Sequence, residues 1–191
     1  MAAIEHPLFE QPWPEGEYRF FQLGFMVDDV IAAATRWATV FGVGPFSLLP
    51  RRTSSSTYRG ETTEFEIQIA AAQAGPVQIE LFQQFDDHPS VYRELFPVDG
   101  NGLHQLCTVT PDIDAKVAHY EALGYEVAGR VEAKGHRVAF VDTVADFGFY
   151  TEVVAHNESF LAHLATLSEL SATWDGTDPV RILTRDGYRT P

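Results

Sequence analysis

One internal echo constrains this chain more than any other feature. "FFQLGFMVDDV" (20–30) and "GLHQLCTVTPDI" (102–113) each hold a Gln-Leu pair, a short apolar segment, then an Asp and a branched apolar residue. The correspondence continues into the next segment of each half. "VIAAATRWATVFG" and "IDAKVAHYEALG" have helical composition and end at Gly42 and Gly124, with Trp37 matching Tyr120. Asp28-Asp29 and Asp112 stand where helix N-caps belong. Strand-like pieces come next: "GPFSLLPRR", "STYRG", "TEFEIQIAAA" and "VQIELFQQF" in the first half, "YEVAGRVEA", "HRVAFVDT" and "GFYTEVVAH" in the second. This agreement predicts a duplicated βαβββ unit. A solenoid needs shorter and more numerous repeats.

The chain accordingly divides into an N-terminal arm (1–18), a first βαβββ module (19–86), a linker with a short helix at "HPSVYRELF" (87–101), a second module (102–156), and a C-terminal helix with an extended tail (157–191). In that last helix Asn157 can cap, and Phe160, Leu164, Leu167 and Ser171 form one stripe. It either covers a core or closes a site. The net charge of -14 argues against nucleic acid or an anionic membrane as partner, and a solvated acidic surface explains it. The single cysteine, Cys107, lies in an apolar run, so it excludes a disulfide framework and is expected to be buried and inert. No secretory pattern or membrane-spanning run is evident, which makes the cytoplasm the expected location.

Side chains alternate across a strand. Gln22, Gly24 and Met26 therefore share a face, as do Gln78, Glu80 and Phe82; Gln105, Cys107 and Val109; and Tyr150, Glu152 and Val154. Each set places a strong polar group in an apolar strand. A buried carboxylate without a partner is costly, so Glu80 and Glu152 require a cation, a proton, hydrogen-bond donors or solvent in a cleft.

These paired modules resemble the vicinal oxygen chelate superfamily, which includes glyoxalase I, methylmalonyl-CoA epimerase, extradiol dioxygenases and bleomycin-resistance proteins. "QLGFMVDDVIAAATRWATVFGVGPF" is similar to the opening of a first module, and "GLHQLCTV" to the epimerase-type strand that opens the second. "VQIELF" and "FYTEVV" resemble the closing strands with their inward Glu. The resemblance covers about residues 19–155. It implies an α+β fold with a curled, mixed eight-stranded sheet around an open cleft, frequent pairing into homodimers, and a divalent metal held by one residue from each of four strands. Matched residue by residue, those positions are Gln22, Glu80, Gln105 and Glu152. The third is usually His; the surviving His104 matches a histidine that is not the metal ligand, and alternation points it away from the Gln105 face.

Two carboxylates and two amides form an all-oxygen set that suits Mg²⁺ or Mn²⁺ better than Zn²⁺. Alternatively, Gln22 and Gln105 donate to Glu80 and Glu152, and no ion is needed. Either way the expected chemistry is proton transfer next to a carbonyl, an isomerase, epimerase or lyase reaction with Glu80 or Glu152 as base. The ligand is expected to be a small hydrophobic or aromatic carbonyl compound, with Tyr58, Phe82, Tyr150 and His104 beside it. The alternative is a metal-free binding protein of the bleomycin-resistance type. An extradiol dioxygenase is excluded, because its two-His-one-carboxylate set is missing. His136-Arg137 reads as a surface turn, and Arg51 and Arg52 as solvated charges.

Overall fold

In the computed structural model, which describes residues 20–133 and 135–191, eight strands close on themselves. The arm expected over 1–18 lies outside the described residues. In chain order the elements are β1 (Gln22–Met26), α1 (Val30–Phe41), β2 (Phe46–Leu48), β3 (Arg52–Tyr58), β4 (Glu61–Ala74), β5 (Val77–Gln84), α2 (Val91–Leu95), β6 (Gly102–Thr110), α3 (Ile113–Ala122), β7 (Val127–Ala133), β8 (His136–Val141), α4 (Val144–Phe147), β9 (Tyr150–Ala155), α5 (Glu158–Ala172), β10 (Val180–Thr184) and β11 (Gly187–Arg189). The ring runs β5-β1-β6-β9-β8-β7-β3-β4 and returns to β5. Within it β1 pairs parallel to β5 and β6 parallel to β9, while β1 and β6 join antiparallel. This is the two-fold relation that the sequence echo implies.

Where an open cleft was expected, the sheet closes at one end. The two halves meet across β3 and β7 through Thr57↔Arg130 and Tyr58↔Gly129. Gly129 permits the approach: a Cβ there would lie 2.7 Å from Val91 Cγ1 and 3.1 Å from the Thr57 carbonyl oxygen. Towards Arg52 the strands part, and that gap is the mouth of the barrel.

Three strands stand outside the ring. β2 pairs with the end of β4, β10 runs parallel to β2, and β11 forms a hairpin with β10. The sheet therefore has eleven strands rather than eight. The extra pairing gives an otherwise open edge of β4 a partner from the tail.

Helices cover the outer face. Asp29 caps α1 by accepting from the amides of Ile31 and Ala32. Val30 and Ala34 of α1 are buried against Phe46, Ala70, Leu81 and Val180. Ile113 and Val117 of α3 pack on Val141 and Val153. The interior is aromatic, with Phe65, Phe82, Phe140 and Tyr150 facing inward. α2 does not stay on the surface: Val91 and Tyr92 enter this interior and stopper the closed end. α5 packs on the rim, where Phe160 meets Phe21 edge-on at 5.8 Å and the Ser171 hydroxyl donates to the Gln73 carbonyl at 3.2 Å. Leu167 is 1% exposed, so Leu167→Ala is expected to cost about 2–5 kcal/mol, measured by urea unfolding. Among the described residues no helix is long and apolar enough to cross a membrane.

Candidate functional site

The strand that opens the second repeat does not alternate cleanly. Gly24 of β1 lies opposite Gln105, yet the next residue, Phe25, lies opposite Leu103. His104 is thus the extra residue of a β-bulge, and it turns inward together with Gln105 instead of away from it. The bulge needs an empty position across the ladder. Gly24 supplies it, since a Cβ there would sit 2.7–2.8 Å from Gln105 Cγ and Cδ and from Phe82 Cε2. His104 is fully buried among Tyr92 (ring centroids 4.9 Å apart) and Tyr150 (5.1 Å).

The bulge creates a chain of polar contacts whose donors can be counted. His104 Nε2 lies 3.1 Å from the Val91 carbonyl oxygen, which can only accept, so Nε2 carries a proton. Nδ1 abuts Gln105 Oε1, and Gln105 Nε2 lies 2.8 Å from Glu152 Oε2. Two arrangements satisfy every donor with one shared proton. In one, an imidazolium donates to the amide oxygen and the amide donates to a carboxylate. In the other, the amide is turned end for end, donates to a neutral imidazole, and accepts from a protonated Glu152. Burial favours the uncharged arrangement. It pushes the His104 imidazole down to about 4 and the Glu152 carboxyl up to about 7. Cys107, opposite Glu152 in the ladder, also contacts that carboxyl. Burial first, and then the Glu152 charge, push its thiol well above the usual range.

Glu80 faces the same interior from β5. Among the described residues no hydrogen-bond donor reaches its carboxyl. Burial and then the Glu152 charge hold its pKa well above the ordinary value, and Arg52 opposes them. Gln22 does not serve Glu80. Its amide donates to Gln78 (3.4 Å), which donates to Gln73 (3.2 Å), which ends on the Gly75 carbonyl (2.6 Å).

Between the two glutamates and the mouth lies a cavity of about 330 Å³. Glu80, Glu152, Phe82 and Tyr92 form its floor, Ile67, Ile69, Val138 and Phe140 its walls, and Arg52, His136, Asn157, Ser159, Phe160 and His163 its rim. Tyr92 faces both carboxyls: burial, then the charges of Glu152 and Glu80, raise its hydroxyl's pKa, so it stays a donor. Of the expected ligand neighbours, only Phe82 lines this cavity. Tyr58 and Tyr150 turn instead to Glu94 of α2 at the stoppered end, where Arg59 binds Glu94 at 2.6 Å. His104 stands behind the floor. Conversely, Tyr92, Arg52, His136 and His163 were not expected at a site. No local signal marks them, because they meet only once β3, β8, α2 and α5 converge.

As arranged, the four chelate positions do not form a ligand shell. Gln22 is committed to its amide relay, and both ends of the Gln105 amide are engaged. Two carboxylates remain, where a hard divalent ion takes about six oxygens. Among the described residues no group of three or more His, Cys, Asp or Glu side chains is placed to hold an ion.

Residues 21–140 match the model of the Glyoxalase/Bleomycin resistance protein/Dioxygenase superfamily. Among solved structures, hypothetical protein BH1468 from Bacillus halodurans C-125 is similar at 16% identity, covering 74% of this chain and 96% of its own, with a TM-score of 0.52. Methylmalonyl-CoA epimerase from Mycobacterium tuberculosis is similar at 19% identity, covering 74% and 89%, with a TM-score of 0.50. At such identities the likeness is one of fold. No curated protein matches the sequence.

Proposed function

The chain belongs to the Glyoxalase/Bleomycin resistance protein/Dioxygenase superfamily, and from that premise we propose that it is an enzyme moving a proton at a carbon next to a carbonyl, on a small hydrophobic substrate. The reaction class is isomerisation, epimerisation or elimination. The observation that carries this reading is a pair of carboxyls with unlike partners on one cavity floor. Glu152 is tied to Gln105 and suits the acid, whereas Glu80 has no donor among the described residues and suits the base.

Glu80 takes the proton from carbon, and the C–H electron pair moves onto the carbonyl oxygen as an enolate. Tyr92 donates to that oxygen, and Glu152 returns a proton to carbon. The two carboxyls share protons during turnover and titrate as a pair. No step requires an ion. Dialysis against a chelator, or addition of Mg²⁺ or Mn²⁺, is accordingly expected to leave the rate unchanged; full dependence on an added ion would sink the metal-independent form of the mechanism.

The test monitors exchange of α-protons for deuterium in D₂O by proton NMR, over a panel of 2-oxo acids and aryl ketones. Glu80→Gln is expected to lower the exchange rate by about 10²–10⁴-fold with the circular dichroism spectrum intact. If Glu80→Gln and Glu152→Gln both keep the full rate, the assignment of base and acid is wrong. The aromatic floor and walls also favour a second reading, a non-catalytic binder of an apolar molecule. That reading calls for no exchange with any compound and near-unchanged ligand affinity in both glutamine variants.

A further inference from the structure

The cavity is polarised from end to end in a way that neither the family nor the proton-transfer reading supplies. Both of its carboxyls sit at the floor, while the rim carries Arg52 from β3, His136 from β8 and His163 from α5. These three come from distant parts of the chain, and α5 lies beyond the family match. They are close enough to act on one another: burial, then the charge of Arg52 and then that of His163, depress the His136 imidazole.

Arg52 differs from its neighbours in having nothing to hold. Arg51 pairs with Glu66 and lies 3.9 Å over the Phe85 ring. Arg59 pairs with Glu94, Arg93 donates to backbone carbonyls of the 84–86 segment, and Arg137 pairs with Asp114. Among the described residues Arg52 makes no hydrogen bond or ion pair. An unengaged guanidinium is the more notable in a chain with 27 acidic and 13 basic residues. A guanidinium fork flanked by two imidazoles is suited to an anionic oxygen group.

We propose that the natural ligand is amphipathic: an anionic head, a carboxylate or phosphate, seats on Arg52, His136 and His163, and an apolar or aromatic body fills the cavity. The size agrees, because about 330 Å³ lies at the small end of small-molecule pockets, which run from roughly 300 to 1,000 Å³. Taken with the proposed function, on which this placement of the substrate rests, the head fixes which end of the ligand reaches Glu80. The chain's overall negative charge repels anions at long range, so recognition is left to this local cluster.

Three probes test the proposal by calorimetry: phenylpyruvate, its methyl ester, and phenyl phosphate. The wild-type protein is expected to bind at least one of the two anions about tenfold tighter than the neutral ester. Arg52→Gln should erase that preference, His163→Asn should reduce it, and Arg51→Gln, with its outward pairing to Glu66, should keep it. Whichever anion loses more affinity on Arg52→Gln identifies the head group. Equal affinity for acid and ester, an unchanged preference in Arg52→Gln, or no binding of either anion overturns the proposal. Binding is read separately from exchange. Anion preference without exchange in any compound overturns the proton-transfer reading and leaves the head-group site standing; exchange without anion preference does the reverse.

Discussion

Tyr92→Ala is expected to cost about 3–5 kcal/mol of stability, the range for deleting a large buried aromatic, and to enlarge the cavity at its floor. Tyr92 is only 6% exposed, and its ring meets His104 at 4.9 Å, Phe82 at 5.2 Å, Phe65 at 5.7 Å and Phe140 at 5.9 Å. No neighbour can swing in to replace it. α2 is held from several sides: the Ser90 hydroxyl caps the Arg93 amide at 3.1 Å, Arg93 Nη2 donates to the Gln84 carbonyl at 2.6 Å, and Glu94 binds Arg59. With the helix fixed, the lost volume stays as a cavity rather than collapsing. Tyr92→Phe keeps the packing and removes only the hydroxyl that faces Glu80 and Glu152. It should therefore fold with nearly wild-type stability and lose exchange activity. Urea unfolding midpoints separate the two variants, and equal midpoints for Ala and wild type would show that α2 does not stopper the barrel.

The fold was legible because repeats are written locally. A Gln-Leu strand, an Asp cap, a helix and a closing strand recur with enough coincidences to identify the unit, and β1–β5 and β6–β9 reproduce it. The eight strands of the ring arise from two copies of one pattern. β10 and β11 do not, because they belong to no repeat. "DPVRI" becomes a strand only because β2 offers an edge to it.

The candidate site divides along the same line. Period-two alternation puts Glu80 and Glu152 on inward faces, and both line one cavity. The same rule fails at His104, since a bulge depends on the strand opposite. Gly24, eighty residues earlier, leaves the space that lets two consecutive side chains turn inward. Gln22 was matched to Glu80 by analogy between the repeats, but Gln78 and Gln73 lie nearer and capture its amide. The rim was not readable at all. Arg52, His136 and His163 each have an ordinary surface reading, and only their convergence in space gives them a role.

The polar chain behind the floor leads to the last prediction, a pair of opposite pH responses hidden in the wild-type protein. In the unfolded chain His104 titrates near 6.5 and Glu152 near 4.5, so between those values the histidine holds a proton and the glutamate does not. In the folded protein the order is reversed, with His104 at about 4 and Glu152 at about 7. Each state binds one proton over that window, so the pair adds almost no pH slope to stability there. Removing either partner exposes the other. In Glu152→Gln the depressed His104 remains; its contribution is complete above pH 6.5 and is lost as pH falls towards 4. In His104→Gln the raised Glu152 remains; its contribution is complete below pH 4.5 and is lost as pH rises through 7. Each swing is worth about 3 kcal/mol, since one pKa unit corresponds to about 1.4 kcal/mol. Glu80 and the surface carboxyls contribute alike to all three proteins, so the difference from wild type isolates the pair. Urea unfolding of wild type and both variants from pH 4 to 8 should give difference curves of opposite sign. Two curves of the same sign would mean that His104 and Glu152 do not exchange a proton on folding, and the neutral imidazole–amide–acid chain would have to be abandoned.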